Sequence, residues 1–451
     1  MFPGLDEKHM VEPDQEVHQW LTQEAARYFA SKIEGAELGS FLGTWGVDGI
    51  YADVRQATVI DGSRDEDKGH KPPLYQGSDD GTFDIDGPSF RHFCASAKDI
   101  YTGFDVVQDY DSALTQAGNI LENNAGDNCV VQYAAGNKTA AYYYLGHVAH
   151  LIEDMTVPAH THNDPHGSSI VGLHDSYEQD YAATNFRNFH YDDEVDGVYP
   201  LKNRAIPLPT SLYDAFYTTA EYTDDYDSNH EDGEFARSGL SACFFPADYP
   251  SATLHKPDVA LRTGGGSTST ITDANCAIIA KDLMYWSMWR TAQLYRFFYH
   301  EVDTTPFRAR VSGESGTELS SDPSMPSAWT GSQLLRLRVL YDHGAGTAIG
   351  FPASGIVKSS RVLHYDHKYD NGDWMGENTV PLAEDVSTFD FDVAGGTYKI
   401  WITAESGAGY AAEPDYRYVQ ETGLRIAASP QGGNFECGQP LSMRVQLNDV
   451  L

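Results

Sequence analysis

The sequence has no excess of basic residues, no closely spaced cysteines and no long apolar run, and each absence removes a class of function. Lys and Arg number 30 against 66 Asp and Glu, a formal net charge of −36. Such a surface repels bare nucleic acid and anionic bilayers at long range, so no stable nucleic-acid partner is expected. A phosphate-bearing substrate is not thereby excluded, because a bound metal inverts the local field. The five cysteines (Cys94, Cys129, Cys243, Cys276, Cys437) form no CxxC pair, which argues against a zinc–thiolate site. One or two disulfides are expected if the protein is exported, with one thiol left over. No apolar run approaches the roughly 18 residues of a membrane-spanning helix. The opening Met1-Phe2-Pro3-Gly4-Leu5-Asp6 lacks a basic region followed by an apolar one, so no signal peptide is expected in this chain. No P-loop or nucleophile elbow is present.

What is present suits two or three domains in 451 residues. Residues 15–33 predict a helix, with Val17, Leu21, Ala25, Phe29 and Ile33 at helical spacing. Residues 43–90, rich in Gly, Asp and Pro, read as long loops, and 190–270 as mostly irregular. Helices are expected over 138–156, ended by Pro158, from Leu173 through Tyr181, and over 274–300. The last of these places Ile279, Leu283, Trp286, Leu294 and Phe297 on one face. Pro, Ser and Gly dominate 303–333, the pattern of a linker or a domain edge. Beyond it come runs of period two, Leu335–Val339, Phe389–Val393, Tyr398–Ile402 and Met443–Leu447. The expected architecture is therefore a mainly α N-terminal catalytic domain, residues 1–302, followed by a C-terminal antiparallel β-sandwich, residues 303–451.

Histidine is unevenly spread. Six of the 17, His147, His150, His160, His162, His166 and His174, fall within one short stretch. Packing does not explain that density, because each buried imidazole needs hydrogen-bond partners. His150 and Asp154 are four apart and share a helix face. His160 follows two residues after Pro158. His174 and Glu178 are again four apart. Nitrogen and carboxylate donors without thiolate favour zinc, with manganese and iron as rivals. His147, one turn before His150, reads either as orienting a ligand or as structural. His162 and His166 read as loop residues facing substrate or solvent. The acidic run Asp224–Asp232 has the composition of a calcium loop. It carries His230 where the turn needs Gly and no closing acid, so it reads as a solvated loop.

The stretch resembles the family of zinc-dependent bacterial phospholipases C and P1-type single-strand nucleases. Their shared pattern is a His, an Asp four later, Pro-x-His, then a His with an acid four later. Here these are His150, Asp154, Pro158-Ala159-His160, and His174 with Glu178. The closing acid is Glu in the phospholipase branch and Asp in the nuclease branch. By the same resemblance His18, His92 (in Arg91-His92-Phe93) and Asp67 (in Gly62-Ser63-Arg64-Asp65-Glu66-Asp67) complete the set. Asp53 is a competing assignment for Asp67, and Asp65 a lesser one.

The resemblance implies two or three Zn2+ ions. Asp67, His92, His150 and Asp154 would hold one, and His160, His174 and Glu178 a second. His18, Asp154 and the N-terminal amino and carbonyl groups would hold a third. The sequence departs from the family at that last site. The phospholipases expose an N-terminal Trp, whereas this chain begins at Met1 and its nearest Trp is Trp20. Asp67 or Asp53 would serve as ligand and base.

The implied activity is phosphodiester hydrolysis, with phospholipid headgroups as the leading substrate and transient contact with a membrane surface. A secreted or periplasmic location goes with it. The alternatives are a P1-type single-strand nuclease or nucleotidase, and a non-catalytic, metal-stabilised binding protein. Some clostridial relatives append a calcium-dependent lipid-binding sandwich. The C-terminal domain is open to lipid binding, sugar binding or a stabilising role, since fold does not fix function.

Overall fold

The protein is described from a computed structural model. It describes residues 13–43, 58–66, 113–123, 128–162, 175–193, 201–229, 262–263, 270–313, 317–329, 335–343, 347–348, 355–369, 372–384, 387–391 and 395–421. The chain divides into two compact units. The first comprises Met1–Thr304 with Pro352–Gly355 and Gly407–Gly409, and the second the remainder.

The first unit is helical. Its helices are α1 (Pro13–Lys32), α2 (Val59–Asp65), α3 (Ala113–Gly118), α4 (Cys129–Ala134), α5 (Lys138–Asp154), α6 (Pro158–Thr161), α7 (Ala183–Asn185), α8 (Leu212–Thr223) and α9 (Asp273–Val302). A short extended pair β1 (Ile33–Glu34) follows α1, and β2 (Arg262–Thr263) pairs antiparallel with β3 (Thr270–Ile271). The apolar repeat of α1 does what its spacing implies: Val17, Leu21, Ala25 and Phe29 are all buried, and Ile33, expected to end the helix, is buried at the start of β1. The last helix differs from expectation. It is buried almost all round, with Met284, Tyr285, Ser287, Met288 and Trp289 as enclosed as the five predicted positions. A central helix has no solvent side to reserve for polar residues.

Two regions read as irregular contain helices. α2 lies within 43–90, begun by a capping box in which Thr58 and Asp61 satisfy each other's backbone N–H. α8 lies within 190–270, with Ser211 as its N-cap. In both, Gly- and Asp-rich surroundings hid a short helix whose stability comes from packing rather than propensity.

The contact of α2 with α5 is set by two glycines. A Cβ on Gly62 would lie 2.0 Å from the Tyr143 carbonyl oxygen, and one on Gly146 2.1 Å from that of Val59. The two backbones therefore touch, and no other residue type permits so close a crossing. Among the described residues no helix is long and apolar enough to cross a membrane.

The second unit is built of strands: β4 (Phe307–Gly313), β5 (Ser327–Trp329), β6 (Leu335–His343), β7 (Thr347–Ala348), β8 (Ile356–Val357), β9 (Val362–Lys368), β10 (Asn378–Pro381), β11 (Thr388–Phe391), β12 (Thr397–Thr403), β13 (Glu413–Pro414) and β14 (Arg417–Glu421). One sheet runs β10-β9-β12-β14-β5. The other runs β11-β6-β4-β13, with β7 against β6. Pairing is antiparallel except at β13–β4 and β14–β5, which are parallel and make both sheets mixed.

Alternation explains the core of this unit. Phe307, Ala309 and Val311 of β4, Leu335, Leu337 and Val339 of β6, and Tyr398, Ile400 and Ile402 of β12 converge on one apolar cluster. The stretch 303–333, expected to be a linker or a domain edge, contains the boundary at Thr304 and also supplies β4 and β5. Pro306, Pro323 and Pro326 lie outside those strands, whereas Ser312 and Ser327 lie within them. The run Met443–Leu447 lies outside the described residues.

Candidate metal centre

Three helix-borne side chains meet inside the helical unit. His18 comes from α1, and His150 and Asp154 from α5. One donor atom from each lies within 4.8 Å of the others. Their exposures are 7%, 0% and 1%, so the group is buried. His18 Nε2 is 3.4 Å from Asp154 Oδ1, and His150 Nε2 is 3.3 Å from Asp154 Oδ2. The two imidazoles stack with centroids 3.9 Å apart.

These spacings are long for hydrogen bonds. They match the ligand-to-ligand edge of a tetrahedral zinc site, about 3.3 Å for bonds of about 2.0–2.1 Å. Each imidazole is also held through its other nitrogen. His150 Nδ1–H donates to the Ser63 carbonyl at 2.7 Å, and His18 Nδ1–H to Glu153 Oε2 at 3.0 Å. With Nδ1 carrying the proton, Nε2 presents a lone pair towards Asp154. The donor set therefore suits a divalent cation.

Local structure explains this placement. The i,i+4 spacing puts His150 and Asp154 on one face of α5. The Gly62–Gly146 crossing brings α2 close enough for Ser63 to reach His150. On α1, His18 and Thr22 are one turn apart, and both donate to Glu153, Thr22 Oγ1 at 2.9 Å from Oε1. Burial raises the Glu153 carboxyl above the usual carboxylate range, and the His18 and Thr22 hydrogen bonds oppose that rise.

A second pair lies further along the chain. His160, on α6, has its Nε2 3.5 Å from Glu178 Oε2. Glu178 sits in a π-helical turn, Ser176–Ala182, capped by Asp175, whose carboxylate accepts from the Glu178 N–H at 2.7 Å. This corrects the expected helix start at Leu173. The cap at Asp175 is extended, so Glu178 belongs to the first turn. Asp67, Asp53, His92 and His174 lie outside the described residues, as does His166.

Asp65 is already committed. It accepts from Arg64 Nε at 2.9 Å and from the Tyr143 hydroxyl at 3.1 Å. His147 Nδ1 pairs with Glu66, and its ring meets Tyr143 edge-on.

His162 and the acidic run differ from expectation. His162 is 1% exposed. Its Nε2–H donates to the Tyr226 carbonyl at 2.7 Å, and its Nδ1 lies 3.1 Å from Asp224 Oδ1. Asp224, Asp225, Asp227, Ser228 and Asn229 are buried, not solvated. Tyr222 and Tyr226 both donate to Asp282, and Asn229 bonds Ser176 through its backbone N–H and its Oγ. The run thus steadies the turn that carries Glu178. A string of acids reads as surface when its partners are not visible in the run, and here His162, which meets Asp224, and Asp282, which takes the two tyrosine hydroxyls, come from distant segments. His230, Glu231 and Asp232 lie outside the described residues.

Burial pushes the Cys129 thiol well up and the Cys276 thiol up to about 12, and both are free. Neither supplies a thiolate at neutral pH. Sequence reasoning missed Glu153, Thr22, Ser63 and Glu66. Glu153 left one sign, a second acid beside Asp154 at the end of an apolar helix. Ser63 left none, because it acts through its backbone.

No family model matches the chain, and no curated protein matches it. Among solved structures it is similar to the alpha toxin from Clostridium absonum, at 10% identity and a TM-score of 0.35, covering 91% of this chain and 97% of that one. It is likewise similar to the alpha-toxin of Clostridium perfringens isolated from avian strain SWCP, at 11% identity and a TM-score of 0.30, covering 89% and 96%.

Proposed function

We propose that the protein is a zinc-dependent phosphoric ester hydrolase that cleaves phospholipid headgroups in the manner of a phospholipase C. The observation that carries the metal reading is the sharing of Asp154. Its two oxygens face two different imidazole nitrogens in a buried site, and each imidazole is oriented by an acceptor on its far side. A hydrophobic core has no use for two carboxylates and two imidazoles in one place, because removing them from water costs several kcal/mol per charge. A dication offsets that cost directly.

His18, His150 and Asp154 would hold one or two ions, with Asp154 able to bridge. His160 and Glu178 would contribute to a further one. Bound zinc brings the pKa of a coordinated water to about 7 and neutralises charge on phosphoryl oxygens. The chain itself orients the imidazoles, excludes bulk water from the ligand face, and supplies the carboxylate charge that balances the cation. Asp67 or Asp53 is proposed as the base, with His92 and His174 as further ligands. The choice of phospholipid over nucleic acid rests on Glu178 in place of Asp, and on a surface charge that disfavours a polyanion. The same charge keeps contact with an anionic bilayer brief. Export to the periplasm or medium belongs to this reading, and residues 303–451 are proposed as an accessory domain for lipid or sugar.

The test is elemental analysis together with hydrolysis of phosphatidylcholine and of single-stranded DNA, before and after chelation. Two or three zinc per chain with chelator-sensitive release of phosphocholine is the expected result. Zinc with DNA cleavage moves the protein to the nuclease branch. Metal with neither activity leaves a metal-stabilised binding protein, and absence of metal overturns the proposal.

A further inference from the structure

Glu153 is the least expected residue in the helical core. It precedes the ligand Asp154, lies on α5, and is 1% exposed. Its carboxylate joins three helices. Oε2 accepts from His18 Nδ1–H at 3.0 Å and Oε1 from Thr22 Oγ1 at 2.9 Å, both on α1; Thr291 Oγ1 of α9 lies 3.5 Å from Oε1. Replacing such a group by an apolar side chain of similar volume is often neutral or stabilising when its only task is to pack. A retained carboxylate in that setting calls for a task that only an ionisable acceptor performs.

The geometry on the far side of His18 supplies one. A carboxylate is acceptor-only, so the nitrogen facing it must carry the proton, and the opposite nitrogen must then be bare. That opposite nitrogen is Nε2, turned towards Asp154 at 3.4 Å. His150 is oriented in the same sense by the Ser63 carbonyl, a neutral acceptor. The two imidazoles therefore have unequal partners, one charged and one not, and a charged partner makes its imidazole the stronger donor to a cation.

We propose that Glu153 is the positioning residue of the metal centre: it locks His18 with the proton on Nδ1 and aims its Nε2 lone pair at the cation shared with Asp154. This rests on the metal reading above and extends it to a residue that does not touch the ion. A glutamine at 153 keeps the shape but can turn its amide N–H towards His18. That favours the opposite tautomer, whose Nε2–H points at the ligand site. An alanine removes the partner altogether.

The test uses the full chain as wild type, E153Q and E153A, with cobalt(II) as the probe. Affinity is measured by competition with a chelator, and the visible absorption of the bound cobalt reports its coordination. Circular dichroism and thermal melting of the metal-free proteins report folding. The expected result is one cobalt equivalent bound about 10-fold more weakly in E153Q and up to about 100-fold more weakly in E153A, with an altered spectrum for that equivalent. If E153A does not fold, the near-isosteric E153Q carries the measurement. Folded variants that match wild type in affinity and spectrum overturn the positioning role and leave the metal centre standing. A wild-type chain that binds no cobalt overturns the metal reading and this inference with it.

Discussion

The helical unit and the sheet unit treat buried charge in opposite ways. Among the residues from Thr305 onward whose burial is described, no carboxylate or imidazole is buried. The enclosed charges there are Arg361, which donates to the carbonyls of Ala383 and Glu384 at 2.7 Å each, and Arg417, which donates to that of Leu319 at 2.7 Å. The helical unit encloses His18, His147, His150, His160, His162, Glu153, Asp154, Asp224, Asp225, Asp227 and Asp282. The sheet unit buries two guanidinium groups, each held by backbone carbonyls, and keeps its carboxylates and imidazoles nearer the surface. The helical unit departs from that pattern around α5 and the 224–229 segment. Such departures cost stability unless a partner or a cation compensates, so the difference bears directly on the metal site proposed in the helical unit.

The largest test of that contrast is Asp154→Ala. It should remove bound metal and reduce phosphocholine release to the level of the chelated enzyme, as read by elemental analysis and a headgroup assay. Retained metal and activity would make the buried carboxylates structural and erase the contrast. Next is Ile400→Ala in the sheet core, fully buried. It should cost about 2–5 kcal/mol in denaturant unfolding through the cavity it leaves, with metal content unchanged. Loss of metal in that variant would show that the two units are not chemically separate.

Gly146→Ala should have a smaller effect on stability, about 1–3 kcal/mol, because its Cβ would meet the Val59 carbonyl at 2.1 Å. It should also weaken metal binding by shifting Ser63 away from His150. An alanine that stabilises, as helix propensity alone would suggest, would show that α2 and α5 can separate freely. The smallest is Thr58→Ala. Loss of the capping box should lower stability by about 1 kcal/mol in thermal or denaturant melts and leave metal stoichiometry intact.

Much of the fold was legible because the period of its hydrophobic residues is local. Val17 to Phe29 marks α1, and Leu335 to Val339 marks β6, without reference to any other part of the chain. α2 and α8 were not legible. They lie in stretches rich in Gly and Asp, and each becomes a helix through caps and packing. The acidic run at 224–229 was misread for a related reason. Its burial depends on Asp282 drawing in Tyr222 and Tyr226, and on His162 meeting Asp224. Nothing in the run itself reveals those partners.

At the candidate site the division is sharper. The sequence by itself determined that His150 and Asp154 face the same way, because four residues make little more than one turn of helix and the spacing alone sets the direction. It also marked His18, His160 and Glu178 through the family pattern they complete. Only the tertiary structure decided that His18 closes the group, since its partner Glu153 lies 135 residues away and the meeting depends on how α1 packs against α5. Only the tertiary structure revealed the Ser63 carbonyl behind His150, because every residue carries a carbonyl and only packing selects which one an imidazole meets.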